Sequence, residues 1–202
     1  MFVQVIRGKV SDPAGMRSHV QSWADTVGRG AEGWLGTTAG VTDDGTSLAV
    51  VRFESEAAAR SNSERPEQGE WWQQMASYYD GDPEFWDCDI VTVDTYGDPG
   101  DAGFVQVMQG KVSDAGKARD LMAADPTDWP SFRPELLGNV WASNADGEWT
   151  MAIYFTSEAA AREGEQKEPP AEVSAMMEEL NSLNAGEPTF FDLRDPWLMS
   201  PA

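Results

Sequence analysis

The chain has 202 residues, of which 41% are hydrophobic and nine are Trp, enough to bury a sizeable interior. Lys plus Arg number 14 against 35 Asp plus Glu; a net charge near −21 repels phosphate backbones and anionic bilayers and argues against nucleic acid or a membrane surface as partner. Cys88 is the only cysteine, which excludes an internal disulfide and suits a reducing compartment.

Residues 2–10 are apolar, β-branched and aromatic, the pattern of a strand covered on both faces. Asp12 is placed to cap a helix that Pro13 opens, with Met16, Val20, Trp23 and Val27 spaced by three and four along one face. Gly28-Arg29-Gly30 ends it. A second strand from Gly33 to Val41 leads into Asp43-Asp44-Gly45, a tight hairpin signal, and residues 47–54 return as a third strand. Ser55 starts a short helix that ends near Arg65-Pro66. Glu67 to Tyr79 then carries Trp71, Trp72, Met75, Tyr78 and Tyr79 along a helix, and Phe85 to Asp94 reads as a fourth strand after Gly81-Asp82-Pro83. The order is β-α-β-β-α-β.

Residues 98–103 form a turn-rich connector, after which the chain begins again. Phe2-Val3-Gln4-Val5-Ile6-Arg7-Gly8-Lys9-Val10-Ser11-Asp12 returns as Phe104-Val105-Gln106-Val107-Met108-Gln109-Gly110-Lys111-Val112-Ser113-Asp114, an offset of 102 residues (2 to 104) that also relates Phe53–Arg60 to Phe155–Arg162. The second copy repeats the order: a strand at 104–112, a helix from about 115, a hairpin at Asp146-Gly147, a strand at 149–156, helices at 157–166 and 171–183, and a last strand from Phe190. Pro83–Asp87 matches Pro188–Asp192 at an offset of 105, which places a three-residue insertion between the second copy's last helix and last strand. The expected units are 1–97 and 104–202.

One such unit makes a four-stranded antiparallel sheet with helices on one face. The bare faces are expected to pack on each other within the chain, so that no second subunit is needed. The element order, the Val-Gln-Val strand ending in Gly8-Lys9, the Phe53-x-Ser55-x-x-Ala58 junction and the aromatic last helix resemble the dimeric α+β barrel superfamily, particularly its antibiotic-biosynthesis-monooxygenase type. The resemblance implies an α+β fold of two tandem ferredoxin-like units forming an intrachain pseudo-dimer, and sheets paired within the chain lead us to expect a monomer. It also implies a ligand pocket between sheet and helices, lined from 13–28 and 67–80.

His19, the only histidine, sits at the edge of the buried helical face, where an imidazole can act as acid or base, and Tyr79 offers a hydroxyl for the same task. Trp23, Trp71, Trp72 and Tyr78 supply stacking surface for an aromatic ligand. At the simple offset His19 and Trp23 become Leu121 and Asp125, while Trp71, Trp72, Tyr78 and Tyr79 become Val173, Ser174, Leu180 and Asn181. This concentration points to one pocket in the first copy, unless Trp129, Phe132, Trp141 and Trp149 compensate in the second. Gln4 and Gln106 are amides in apolar strands that need partners, expected across the pseudo-twofold or on a ligand; Arg52, matched by Tyr154, either binds an anionic group or emerges at a strand edge.

Asp80-Gly81-Asp82-Pro83-Glu84 fails as a calcium loop, with Phe85 at the sixth position and Val91 at the twelfth. Haem-degrading members of the superfamily carry an Asn in the first strand and a Trp and His in the last helix; here only the Trp is present. No phosphate loop, dinucleotide fingerprint, catalytic triad or metal-ligand set is present, so neither metal nor cofactor is expected. The N-terminus enters a strand directly and no apolar run approaches 18 residues, so the expectation is a soluble cytoplasmic protein. Its function is expected to be binding of an aromatic, polyketide-like small molecule, either with cofactor-independent monooxygenation or as a non-catalytic binding or stress-related protein.

Overall fold

The computed structural model describes residues 1–201. Its elements are β1 (Phe2–Lys9), α1 (Pro13–Trp23), β2 (Trp34–Val41), β3 (Thr46–Phe53), α2 (Glu56–Ser63), α3 (Pro66–Ala76), β4 (Glu84–Cys88) and β5 (Ile90–Thr95). After these come β6 (Phe104–Lys111), α4 (Ala115–Ala123), α5 (Trp129–Phe132), β7 (Leu136–Ser143), β8 (Glu148–Phe155), α6 (Glu158–Gly164), α7 (Ala171–Leu183), β9 (Thr189–Leu193) and β10 (Trp197–Met199). The chain is an α+β protein of two five-stranded antiparallel sheets, ordered β10-β2-β3-β1-β4 and β5-β7-β8-β6-β9.

Local chemistry sets the boundaries. Asp12 accepts a hydrogen bond from the Gly15 amide at 3.0 Å and caps α1, with Pro13 in the first turn where its missing N–H costs nothing. Ser55 and Ser157 cap α2 and α6 in the same way, and Asp114 caps α4. The β2–β3 hairpin turns through Gly45 at φ +78°, a left-handed conformation that glycine adopts without strain. Lys9, joined by the Thr42 and Thr46 hydroxyls, holds the Asp44 carboxyl at this turn well below the usual carboxylate range.

The compact units do not coincide with the sequence repeats. One unit is Met1–Asp89 together with Asp195–Ala202, and the other is Ile90–Arg194. The division at 97–104 follows the repeat, whereas strand pairing divides the chain elsewhere. The run read as a single strand from Phe85 to Asp94 breaks at Asp89. β4 pairs with β1, and β5 pairs with β7 of the second unit's sheet. Correspondingly, β10 leaves the second repeat to pair with β2, with Trp197 opposite Ala39 and Met199 opposite Thr37.

The three-residue insertion also moves. Ser11 N–H donates to the Tyr78 carbonyl and Ser113 N–H to the Leu183 carbonyl, while Val10 bridges Tyr79 and Val112 bridges Asn184. The offset of 105 therefore already holds at α3 and α7, and the insertion lies before α7, in the stretch after Gly164. Trp71, Trp72, Tyr78 and Tyr79 correspond to Met176, Met177, Leu183 and Asn184, not to the residues that a constant offset assigns.

β1 is covered on both faces as its composition requires. Val3 and Val5 are fully buried, and Phe2 and Ile6 on the alternate face nearly so. Within the first unit, Ile6, Met16, Val20, Met75, Tyr79 and Trp197 form one core cluster, and Phe2, Trp23, Trp34 and Phe53 another. Among the described residues no helix is long and apolar enough to cross a membrane.

Candidate functional site

A cavity of about 280 Å³ lies within the first unit, between the sheet and its helices. Its floor is built from alternate residues of the strands: Gln4 and Ile6 of β1, Thr37 and Ala39 of β2, and Ser47, Ala49, Val51 and Phe53 of β3. The β10 strand adds Trp197 and Met199. Val20 and Trp23 of α1 and Gln68, Trp71, Trp72 and Met75 of α3 cover it, and Tyr79 closes the end next to β1. Small residues at the centre of the floor leave the space that the aromatic roof does not fill.

Each aromatic is held by a distinct contact. Trp23 Nε1 donates to Gln68 Oε1 at 2.8 Å, and the ring meets Trp34 edge-on with centroids 4.8 Å apart. Trp72 meets Phe85 edge-on at 5.4 Å. Tyr79 is fixed through its backbone, since the Val10 bridge and a 2.8 Å bond from Asp80 N–H to the Lys9 carbonyl tie residues 78–80 to the end of β1. Its ring lies over Gly8, where a Cβ would stand 2.7 Å from Tyr79 Cδ1, so only glycine admits it.

Two donors in this lining lack partners. Trp71 Nε1 and the Tyr79 hydroxyl are buried without a hydrogen bond. Ser47 lies near enough to draw the Tyr79 hydroxyl slightly down, but burial dominates and pushes it above the ordinary phenol value. Buried polar groups are nearly always satisfied, so two such donors on residues of one lining stand out, although Trp149 Nε1 in the packed core of the second unit is unpartnered as well.

Five of the residues expected at the site, Gln4, Trp23, Trp71, Trp72 and Tyr79, line the cavity. Three do not. His19 stacks under Trp71, centroids 4.6 Å apart and planes 10° from parallel, and its Nε2 is 3.0 Å from the Trp71 carbonyl. A carbonyl only accepts, so Nε2 carries the proton and His19 braces Trp71 from behind. Tyr78 packs against α1 over Gly15, where a Cβ would come within 2.7 Å of its ring. Arg52 follows Val51 on β3 and therefore projects from the opposite face of the sheet; its Nε is buried without a partner. Nor does Gln4 reach across the pseudo-twofold, because its amide donates to Asp87 of the adjacent strand at 2.9 Å, as Gln106 donates to Asp192 at 3.1 Å.

Sequence reasoning missed the floor. Ala39, Ser47 and Ala49 correspond at the offset of 102 to Trp141, Trp149 and Met151, so comparing the copies strand by strand exposes where room was left. In the second unit Trp141 and Trp149 are buried in a core with Val112, Ala118 and Leu183. Among the described residues no group of three or more His, Cys, Asp or Glu is arranged to hold a metal ion.

No protein-family model matches the chain, and a search of curated proteins finds no match. Solved structures do match over the whole length. A candidate monooxygenase from Fusobacterium nucleatum aligns with TM-score 0.74 at 12% identity, covering 98% of this chain and 94% of its own. One from Lactobacillus acidophilus aligns with TM-score 0.71 at 12% identity, covering 98% and 99%. An anthrone oxidase-like protein aligns with TM-score 0.67 at 13% identity, covering 100% and 96%. At these identities the likeness is one of fold.

Proposed function

We propose that, in a chain sharing its α+β fold over the whole length with candidate monooxygenases, the first-unit cavity binds a planar aromatic small molecule bearing oxygen acceptors. One observation carries this reading: Trp71 Nε1 and the Tyr79 hydroxyl are unpartnered donors among residues that line an otherwise mainly apolar cavity. A ring system between the α3 indoles and the sheet would bury its faces, while a carbonyl or phenol oxygen accepts from the two donors.

The reaction the fold suggests is cofactor-independent oxygenation of an anthrone-like methylene. The substrate CH2 becomes a ketone, one atom of O2 enters the product and the other leaves as water, so substrate and O2 balance with no further reductant. Tyr79, held protonated by burial, would donate a hydrogen bond to the substrate oxygen as enolate character develops. A second reading, binding without turnover, is favoured by the absence of any acidic or basic side chain in the lining that would remove the substrate proton.

Oxygen uptake on addition of anthrones, measured beside quenching of Trp fluorescence, separates the two. Uptake with quenching supports the oxygenase and quenching alone the binding protein. With neither, both readings fail.

A further inference from the structure

We propose that the first-unit cavity admits its ligand only in an uncharged protonation state and rejects the anion of the same phenol or enol. This rests on the binding reading above and adds the ionisation state that the site selects.

The lining contains amides, hydroxyls, indoles and aliphatic groups, with no Asp, Glu, Lys, Arg or His. Tyr79 is its only titratable member. An anion entering such a space loses its water and meets no cation in return, and two neutral donors replace only part of that hydration. Charges one residue further out are engaged with other groups or turned away: Arg52 of β3, whose Nε is unpartnered, projects from the opposite face of the sheet. On β4, Asp87 accepts from Gln4; beyond α2, Arg65 donates to Asn62 Oδ1 at 2.9 Å and to the Val27 carbonyl at 2.7 Å, with Glu67 against it. Arg17 of α1 pairs with Asp195 ahead of β10, and His19 stands behind Trp71. On the β1 side the charge that bonds a lining residue is the Asp87 carboxylate, Arg7 being paired with Glu84, and the chain as a whole is near −21. Tyr79 acts as an internal probe in the same sense, since its own phenol is driven toward the neutral form.

The probes are 7-hydroxycoumarin, which ionises, and 7-methoxycoumarin, which cannot, with binding to the full chain followed by equilibrium dialysis below and above the hydroxycoumarin's pKa. The expected result is a flat profile for the methoxy compound and a loss of affinity for the hydroxy compound of about tenfold per pH unit above its pKa. That loss should persist at about 1 M salt, where exposed charges are screened beyond roughly 3 Å. Equal binding of the anion, or discrimination that disappears in salt, overturns the inference and leaves the binding reading standing. Failure of both coumarins to bind at every pH overturns the two together.

Discussion

At the helix-facing surface of its sheet the first unit carries Ala39, Ser47 and Ala49, where the second carries Trp141, Trp149 and Met151. The helices reverse the pattern: Trp71, Trp72 and Tyr79 in α3 and the turn after it correspond to Met176, Met177 and Asn184 in and after α7. Even the glycine near the end of the first strand of each copy is used alike, Gly8 lying under Tyr79 and Gly110 under Trp149, whose Cζ2 would be 2.8 Å from an added Cβ. The exchanged strands follow suit. Trp197 of β10 faces Ala39, whereas in the other sheet Thr92 of β5 faces Trp141. Bulk placed on the sheet fills the space beneath the helices; bulk placed on the helices, over small sheet residues, roofs it.

The sharpest way to break this contrast is to remove the second unit's bulk. Trp149→Ala should cost about 3–5 kcal/mol of unfolding free energy, the range for truncating a buried Trp, read from urea denaturation. A value under about 1 kcal/mol would mean that Trp149 is not what fills that unit. The reciprocal change, Ser47→Trp, imports the second unit's residue into the first. It should lower affinity for any aromatic ligand of the cavity by at least about 100-fold in dialysis while the urea midpoint holds or rises. A smaller effect follows from Tyr79→Phe, which deletes one orphan donor: affinity for a carbonyl-bearing ligand should fall roughly three- to tenfold, with stability unchanged or slightly improved.

The smallest effect concerns one phenol in each unit, the buried Tyr79 and the half-buried Tyr96. In the second, burial together with Asp94 and Asp125 pushes the Tyr96 hydroxyl up to about 12, from 10.0 when unfolded. The folded form keeps its proton longer, so the stabilisation is intact below pH 10 and declines as pH rises toward 12. Tyr96→Phe should flatten that alkaline decline in thermal unfolding, and Tyr79→Phe should flatten the corresponding part from the first unit. An unchanged profile in both variants would place the alkaline sensitivity elsewhere.

Much of this contrast was open to sequence reading. The duplication, the element order and the helix starts at Asp12, Ser55 and Ser157 follow from periodicity and capping, and the concentration of aromatics in one copy already pointed to the half that holds the cavity. Three things stayed hidden, each for a physical reason. A strand's propensity does not say which sheet it joins, so the change of partner at Asp89 left no mark in a run that reads as continuous from Phe85 to Asp94. A three-residue strand in a tail has too little periodicity to be noticed, though it supplies Trp197 and Met199 to the cavity. The face a residue takes at the edge of a helix depends on its neighbours. His19 is turned under Trp71 by a stack and a carbonyl that spacing alone does not reveal.

Because β10 returns to β2 only after the whole of Ile90–Arg194 has been laid down, the first unit is begun early in translation and finished late. While the ribosome is making the second unit, the outer edge of β2 has no partner and the hollow lacks one wall. A nascent chain paused anywhere in that interval would therefore expose both an open backbone edge and an aromatic-lined hollow.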